Sequence, residues 1–218
     1  APVPLLAGWN SKESDYRAII GDDPPTPETY EAAVRKLYGD RADRALDLYP
    51  AETWEEVLQA GTDLASDRFM GHATWRWSDL HRRAGHPVYR YFYTHPRPPM
   101  KPEHGNAVPG LAGTNENASR VTPPHGAVHA AEIEYALGNL DTNDIYAWTA
   151  EDRTVSEHMK AYFARFIKGG DPNGGDRPRW PEAGTDERAM VMRLNATPEA
   201  APAQHRDRYL FLDETITE

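Results

Sequence analysis

The amino-acid sequence predicts an α/β fold, on three observations. Pro2-Val-Pro-Leu-Leu-Ala7, closed by Gly8, is a short apolar run that reads as a buried strand. Pro87-Val-Tyr-Arg-Tyr-Phe-Tyr-Thr-His95 reads as a second strand, because aromatic and β-branched residues suit a buried pleated surface. Between and after these runs lie stretches with helix-capping signals and apolar residues at helical spacing.

Taken in order, the first strand leads into Trp9-Asn-Ser-Lys-Glu-Ser-Asp15, a polar turn carrying Glu13. Gly21-Asp-Asp-Pro-Pro25 is a further turn. Thr26 as N-cap with Pro27 at the first helical position predicts a helix to about Tyr38, closed by Gly39. A short helix follows from about Arg41 to Tyr49, stopped by Pro50. Thr53-Trp-Glu-Glu56 is a capping box that opens a helix with Val57, Leu58 and Leu64 inward, running to Asp67 or Phe69. A second helical stretch continues to Arg83. Its Trp75, Arg76, Trp77, His81, Arg82 and Arg83 fit a packed helix with a solvated rim better than a nucleic-acid platform.

After the second strand, Pro96 to Pro124 is rich in Pro, Gly and Asn and shows no periodicity. Long structureless loops in compact domains are usually functional or disordered, and this one is expected to cover the mouth of an active site. Thr154-Val-Ser-Glu157 reads as another capping box. In the helix it opens, Met159, Tyr162, Phe163 and Phe166 form a packing stripe, and Gly169-Gly170 ends it. Trp180-Pro181, Ala189 to Leu194 and Arg208 to Asp213 read as short late strands.

Composition narrows the function. A net charge of −10 over 218 residues argues against nucleic-acid binding, which needs concentrated Lys and Arg. The absence of cysteine excludes disulfides and thiolate metal sites within this sequence. No apolar run approaches the roughly 18 residues of a membrane span, and Ala1-Pro2-Val3 lacks the features of a signal peptide.

Two residues carry the chemistry. Glu13 stands just past the C-terminal end of a buried strand, where open α/β sheets place their active sites. His129 lies in Gly126-Ala-Val-His-Ala-Ala-Glu-Ile-Glu-Tyr-Ala-Leu-Gly-Asn-Leu140, which follows the extended Pro123-Pro124. On its own, such a histidine also fits a hydrogen-bonded structural role near a helix start. A metal site on His125, His129 and Glu132 is disfavoured, because the His-Glu-x-x-His signature is missing and Pro124 and Gly126 oppose a helix there. No cofactor or metal is expected.

The ordered set of short strings resembles the type-B carboxylesterases, the family that also holds the cholinesterases. Leu5-Leu-Ala-Gly8 with Asn10 and Glu13 is similar to that family's acid loop, and Gly126 to Leu140 to its histidine loop. Gly61 to Phe69, Pro87 to Tyr91, Phe166 with Gly170-Asp-Pro-Asn-Gly174, and Trp180-Pro181 follow in family order, so the resemblance spans nearly the whole chain. It implies an α/β-hydrolase fold, with Glu13 as triad acid and His129 as general base. It also implies Glu132 as a buried carboxylate behind the triad and Tyr16 as a wall of the substrate gorge.

The family's nucleophile sits in a Gly-x-Ser-x-Gly elbow, and none of the six serines here has the paired glycines. The chain is therefore expected to be the C-terminal part of a single α/β-hydrolase catalytic domain: the last strands of the central sheet with flanking helices. Its partners would be an N-terminal fragment of the same enzyme bearing that serine, and a small-molecule ester. Expressed alone, residues 1–218 are expected to aggregate or fold partly, because β-strand edges without partners invite aggregation. The resemblance leans toward a secreted or periplasmic location. The competing expectation is a catalytically inactive, cholinesterase-like interaction protein that keeps the fold.

Overall fold

A computed structural model gives the structure and describes residues 2–104, 108–109, 115–116, 126–185 and 188–216. In chain order the elements are β1 (Leu5–Asn10), α1 (Arg17–Ile20), α2 (Pro27–Tyr38), α3 (Ala42–Leu48), α4 (Trp54–Ser66), α5 (His72–Arg83), β2 (Val88–Tyr93), β3 (Val108–Pro109), β4 (Asn115–Glu116), α6 (Ile133–Leu137), α7 (Ala150–Gly169), β5 (Met190–Leu194), β6 (Glu199–Pro202) and α8 (Arg206–Ile216). The main sheet has the order β1-β2-β5-β6. The β1, β2 and β5 strands run parallel, with Leu5 opposite Val88 and Tyr91 opposite Met192, and β6 returns antiparallel.

The period of two along β2 sends its side chains to different layers. Tyr89, Tyr91 and Tyr93 face a cluster built with Met159 and Tyr162 of α7, Tyr135 of α6 and Trp180. Phe92 faces the other way, toward Trp9, Trp75 of α5 and Tyr209 of α8. A third cluster joins α1 to α4 with α8 through Tyr30, Val34, Val57, Leu64, Phe211 and Leu212. This is the α/β architecture expected: a sheet with helices packed on it.

Three helices, α2, α4 and α7, begin at side-chain caps. Thr26 and Thr53 hold extended backbone and close reciprocal capping boxes with Thr29 and Glu56. Between α4 and α5 the helix does not stop: Asp67–Gly71 form a π-helical turn that carries the chain from one into the other.

Several boundaries depart from the expectations. β1 runs through Gly8 to Asn10. A glycine is required there because an added Cβ would lie 2.3 Å from the Tyr91 carbonyl oxygen of the paired strand. The capping box of α7 is Thr149 with Asp152, not Thr154 with Glu157, so the helix starts one turn earlier. Thr154 instead donates its hydroxyl to the Ala150 carbonyl inside the helix. Arg208 to Asp213 belongs to α8 and is not a strand. A run of four apolar residues has no decisive period, and burying Tyr209, Phe211 and Leu212 against two clusters selects the helix. Trp180-Pro181 is irregular too; buried Trp180 bonds the Arg90 carbonyl through its indole N–H at 3.1 Å. The β6 strand, Glu-Ala-Ala-Pro, carries no signal in the sequence because it contains no strand-favouring residue. Much of the expected covering loop, 105–107, 110–114 and 117–124, lies outside the described residues, as does His125.

Candidate active site

The parallel sheet sets the two chain segments of the site side by side. Beyond the C-terminal end of β1, the turn at Ser11 and Lys12 continues as an edge onto which residues 126–128 dock. The Lys12 N–H donates to the Ala127 carbonyl at 2.9 Å, and the Ala127 N–H donates to Ser11 Oγ at 2.9 Å. Lys12 and Val128 form a parallel bridge. Gly126 lies close against this edge, since a Cβ there would stand 3.0 Å from Ser11 Oγ.

That docking brings Glu13 and His129 together across 116 positions. Glu13 Oε2 accepts from His129 Nδ1 at 2.5 Å, and Glu13 Oε1 accepts the Asn10 backbone N–H at 2.6 Å. Both carboxylate oxygens are thus held, and Glu13 is only 7% exposed. Burial pushes its carboxyl above the usual range; the Asn10 N–H and the His129 imidazole pull the other way. An ionised carboxylate can only accept, so the proton of this bond sits on Nδ1; in the neutral imidazole that tautomer leaves the lone pair on Nε2. The His129 side chain is 40% exposed, and Nε2 has no hydrogen-bond partner among the described residues.

The backbone that carries His129 is under strain. Ala130 has φ +60°, a conformation that non-glycine residues rarely adopt and that neighbouring contacts must hold. Glu132 lies behind the pair and is half-buried rather than buried. Its Oε2 accepts from Asn10 Nδ2 at 2.5 Å, and the same amide donates to the Val128 carbonyl at 2.8 Å. Asn10 therefore touches both Glu13, through its backbone, and the histidine loop, through its side chain.

Tyr16 follows Glu13 by three positions and its side chain turns into the core. It is 1% exposed and packs in the cluster with Ile20, Tyr30 and Val57, so it offers no surface to a ligand in this structure. The aromatic residue beside His129 is Phe69, from the π-helical turn, whose ring meets the imidazole edge-on with centroids 5.1 Å apart. Phe69 also lines a hollow of about 500 Å³ with Ser14, Ile19, Leu37, Tyr38 and Arg68. Its sequence position at the end of an expected helix gave no sign of this, because a π turn changes which residues face which way. No cluster of His, Cys, Asp and Glu suited to a metal ion occurs among the described residues, and none of their helices is long and apolar enough to cross a membrane.

With this geometry in view, the likeness to known proteins is specific. A sequence model described as the carboxylesterase family matches residues 3–211. Carboxylesterase 4A of Bos taurus is 29% identical over 210 residues, which cover 89% of this chain and 34% of that protein. Acylcarnitine hydrolase of Mus musculus is 28% identical over 230 residues, covering 99% of this chain and 37% of that protein. A solved structure of PNB esterase covers 96% of this chain and 38% of its own, with a TM-score of 0.58 and 23% identity, a likeness of fold. The chain spans about a third of the length of the curated relatives it matches.

Proposed function

The chain belongs to the carboxylesterase family and has its α/β-hydrolase fold, and on that premise we propose that it supplies the acid and base of a serine-dependent ester hydrolysis. The single observation that carries this reading is the Glu13–His129 hydrogen bond, which engages Nδ1 of a side chain that is 40% exposed. The chemistry of such a pair is proton transfer at Nε2. A serine Oγ–H attacks the acyl carbonyl while Nε2 takes its proton, and Glu13 stabilises the imidazolium that forms. Nε2 then gives that proton to the leaving alkoxide as the ester C–O bond breaks, which leaves an acyl-enzyme. Water attacks next, loses its proton to Nε2, and the serine departs with it.

The nucleophile belongs to a segment outside this sequence, because no serine here stands in a Gly-x-Ser-x-Gly elbow. On this reading the chain is the C-terminal part of one catalytic domain, completed by an N-terminal fragment carrying that serine. The substrate class is small-molecule carboxylic esters. A non-catalytic interaction role would leave the intact acid–base pair without a purpose.

The test is to co-express residues 1–218 with the serine-bearing segment and follow p-nitrophenyl acetate. His129→Ala should leave the assembled fold intact and lower turnover about 10³-fold or more, since the base acts in both half-reactions. Near-normal turnover by a well-folded variant would overturn the assignment.

A further inference from the structure

The histidine loop is held by two donors built to the same plan. Asn10 Nδ2, at the end of β1, bonds the carbonyl of Val128 and the carboxylate of Glu132, four residues further on. Arg97, from the segment after β2, does the same two residues later. Its Nη2 donates to the Ala130 carbonyl at 3.1 Å and to Glu134 Oε2 at 2.6 Å. The two gripped carbonyls are those on either side of His129. The base is therefore fixed from both flanks, by donors from two different strand ends.

Arg97 is placed for this with little freedom. Its side chain is 4% exposed, its guanidinium lies over the Tyr146 ring at 5.2 Å, and Nη1 bonds the Tyr146 hydroxyl at 3.4 Å. The segment that bears it is stitched to the far side of the loop, where Lys101 N–H donates to the Ile145 carbonyl and Ala147 N–H to the Pro99 carbonyl. Glu134 is held in turn by Asn143 Nδ2, which donates to Oε1 at 2.9 Å. A planar guanidinium can serve two acceptors in fixed directions, which an ammonium does less well. The carbonyl it grips belongs to Ala130, whose positive φ needs an external hold.

We propose that Arg97 and Glu134 are positioning residues for the reaction: through the Ala130 carbonyl they fix the ring of His129 against Glu13. This rests on the reading of His129 as general base. Neither residue touches substrate. Their contribution is the orientation of Nε2, and a displacement of about 1 Å in a catalytic group can cost about 100-fold in rate. Removing the clamp should lower kcat and leave KM nearly unchanged, because the surfaces that bind ester are not altered.

The experiment uses the co-expressed enzyme with p-nitrophenyl acetate, and compares Arg97→Met, the double variant Arg97→Met with Glu134→Gln, and Arg97→Lys. The double variant leaves no unpaired charge in the buried site, so it is less destabilised than the single change and keeps the comparison decisive. Expected is a loss of about 10- to 100-fold in kcat for the double variant, KM within about 3-fold, and partial recovery with Arg97→Lys. NMR of His129 should show its Nδ1 proton exchanging faster with solvent in the double variant. A folded double variant with unchanged kcat and unchanged proton exchange would overturn the clamp. His129→Ala, run beside it, separates the two readings: if that variant stays active the base assignment fails, and if it is dead the clamp is judged on its own result.

Discussion

On the proposed reading, replacing Glu13 by Gln isolates the acid's electrostatic role, because the amide cannot satisfy both of its neighbours and leave the lone pair on His129 Nε2. The Asn10 N–H needs an acceptor at 2.6 Å and the His129 Nδ1–H needs one at 2.5 Å. An amide has one acceptor oxygen and one donor NH₂. With the oxygen toward Asn10, the NH₂ meets Nδ1 and forces the ring proton onto Nε2, where the base needs a lone pair. With the oxygen toward His129, two donors face each other at Asn10. In either orientation the imidazolium formed during attack loses its negative partner. The expected loss in kcat is about 10³- to 10⁴-fold, or about 4 to 5.5 kcal/mol of transition-state stabilisation.

Stability should not follow activity. Burial raises the carboxyl of Glu13, so its charge is not favoured by its surroundings and a neutral isostere relieves that opposition. The assays are steady-state turnover of p-nitrophenyl acetate by the co-expressed enzyme and thermal unfolding at pH 8. A melting temperature at or above that of the parent, together with a kcat reduced about 10³-fold, is the expected pair of results. Unchanged kcat would refute the reasoning, and an equal loss in Asp15→Asn would show that the wrong carboxylate had been assigned.

Two further predictions concern the framework around the site. Asp67 is buried beside the Tyr49 hydroxyl, and burial pushes its carboxyl up to about 7, against the pull of that hydrogen bond. Between about pH 4 and 7 the folded state keeps a proton that the unfolded chain releases, so this group's stabilisation is lost as pH rises through that window, by at most about 1.4 kcal/mol per pH unit. Asp67→Asn should flatten the fall in melting temperature between pH 5 and 8, and parallel curves would contradict the assignment. Gly8→Ala places a methyl 2.3 Å from a backbone oxygen that the sheet holds in place, and should cost about 2 to 3 kcal/mol in urea unfolding. A cost below about 0.5 kcal/mol would mean that β1 and β2 can separate locally.

The parts of this structure that the sequence made legible are those with a short-range physical signal. Thr26 with Pro27 and Thr53 with Glu56 mark helix starts by local hydrogen bonding, and both helices begin there. The tyrosine-rich run at 88–93 announces a strand by composition alone. Glu13 and His129 are singled out through the resemblance of their loops, and the fold brings these two side chains into hydrogen-bond contact. What stayed hidden depends on tertiary partners. Tyr209 to Leu212 is apolar enough for strand or helix, and packing against α5 and the α4 layer decides. Thr149 and Thr154 both stand three residues before an acidic residue, Asp152 and Glu157, and only the fold selects the first. Arg97 sits in a proline-rich stretch with no periodicity, so nothing local signals that its guanidinium reaches the carbonyl of Ala130, next to His129.

The docking of residues 126–128 onto the extension of β1 also governs when the site can exist. Glu13 and His129 are 116 positions apart, and closing a flexible loop of that length costs about 4 kcal/mol in chain entropy before any contact offsets it. Helices such as α2 and α4 form from neighbours and can appear within microseconds, whereas the parallel pairing of β1 with β2 and the histidine loop waits for the whole chain to converge. A refolding molecule can therefore regain its helical content and still not have Glu13 beside His129. The two halves of the site meet only when residues 126–128 have docked on the β1 extension, so that single hydrogen bond reports long-range closure of the chain and not the formation of its helices.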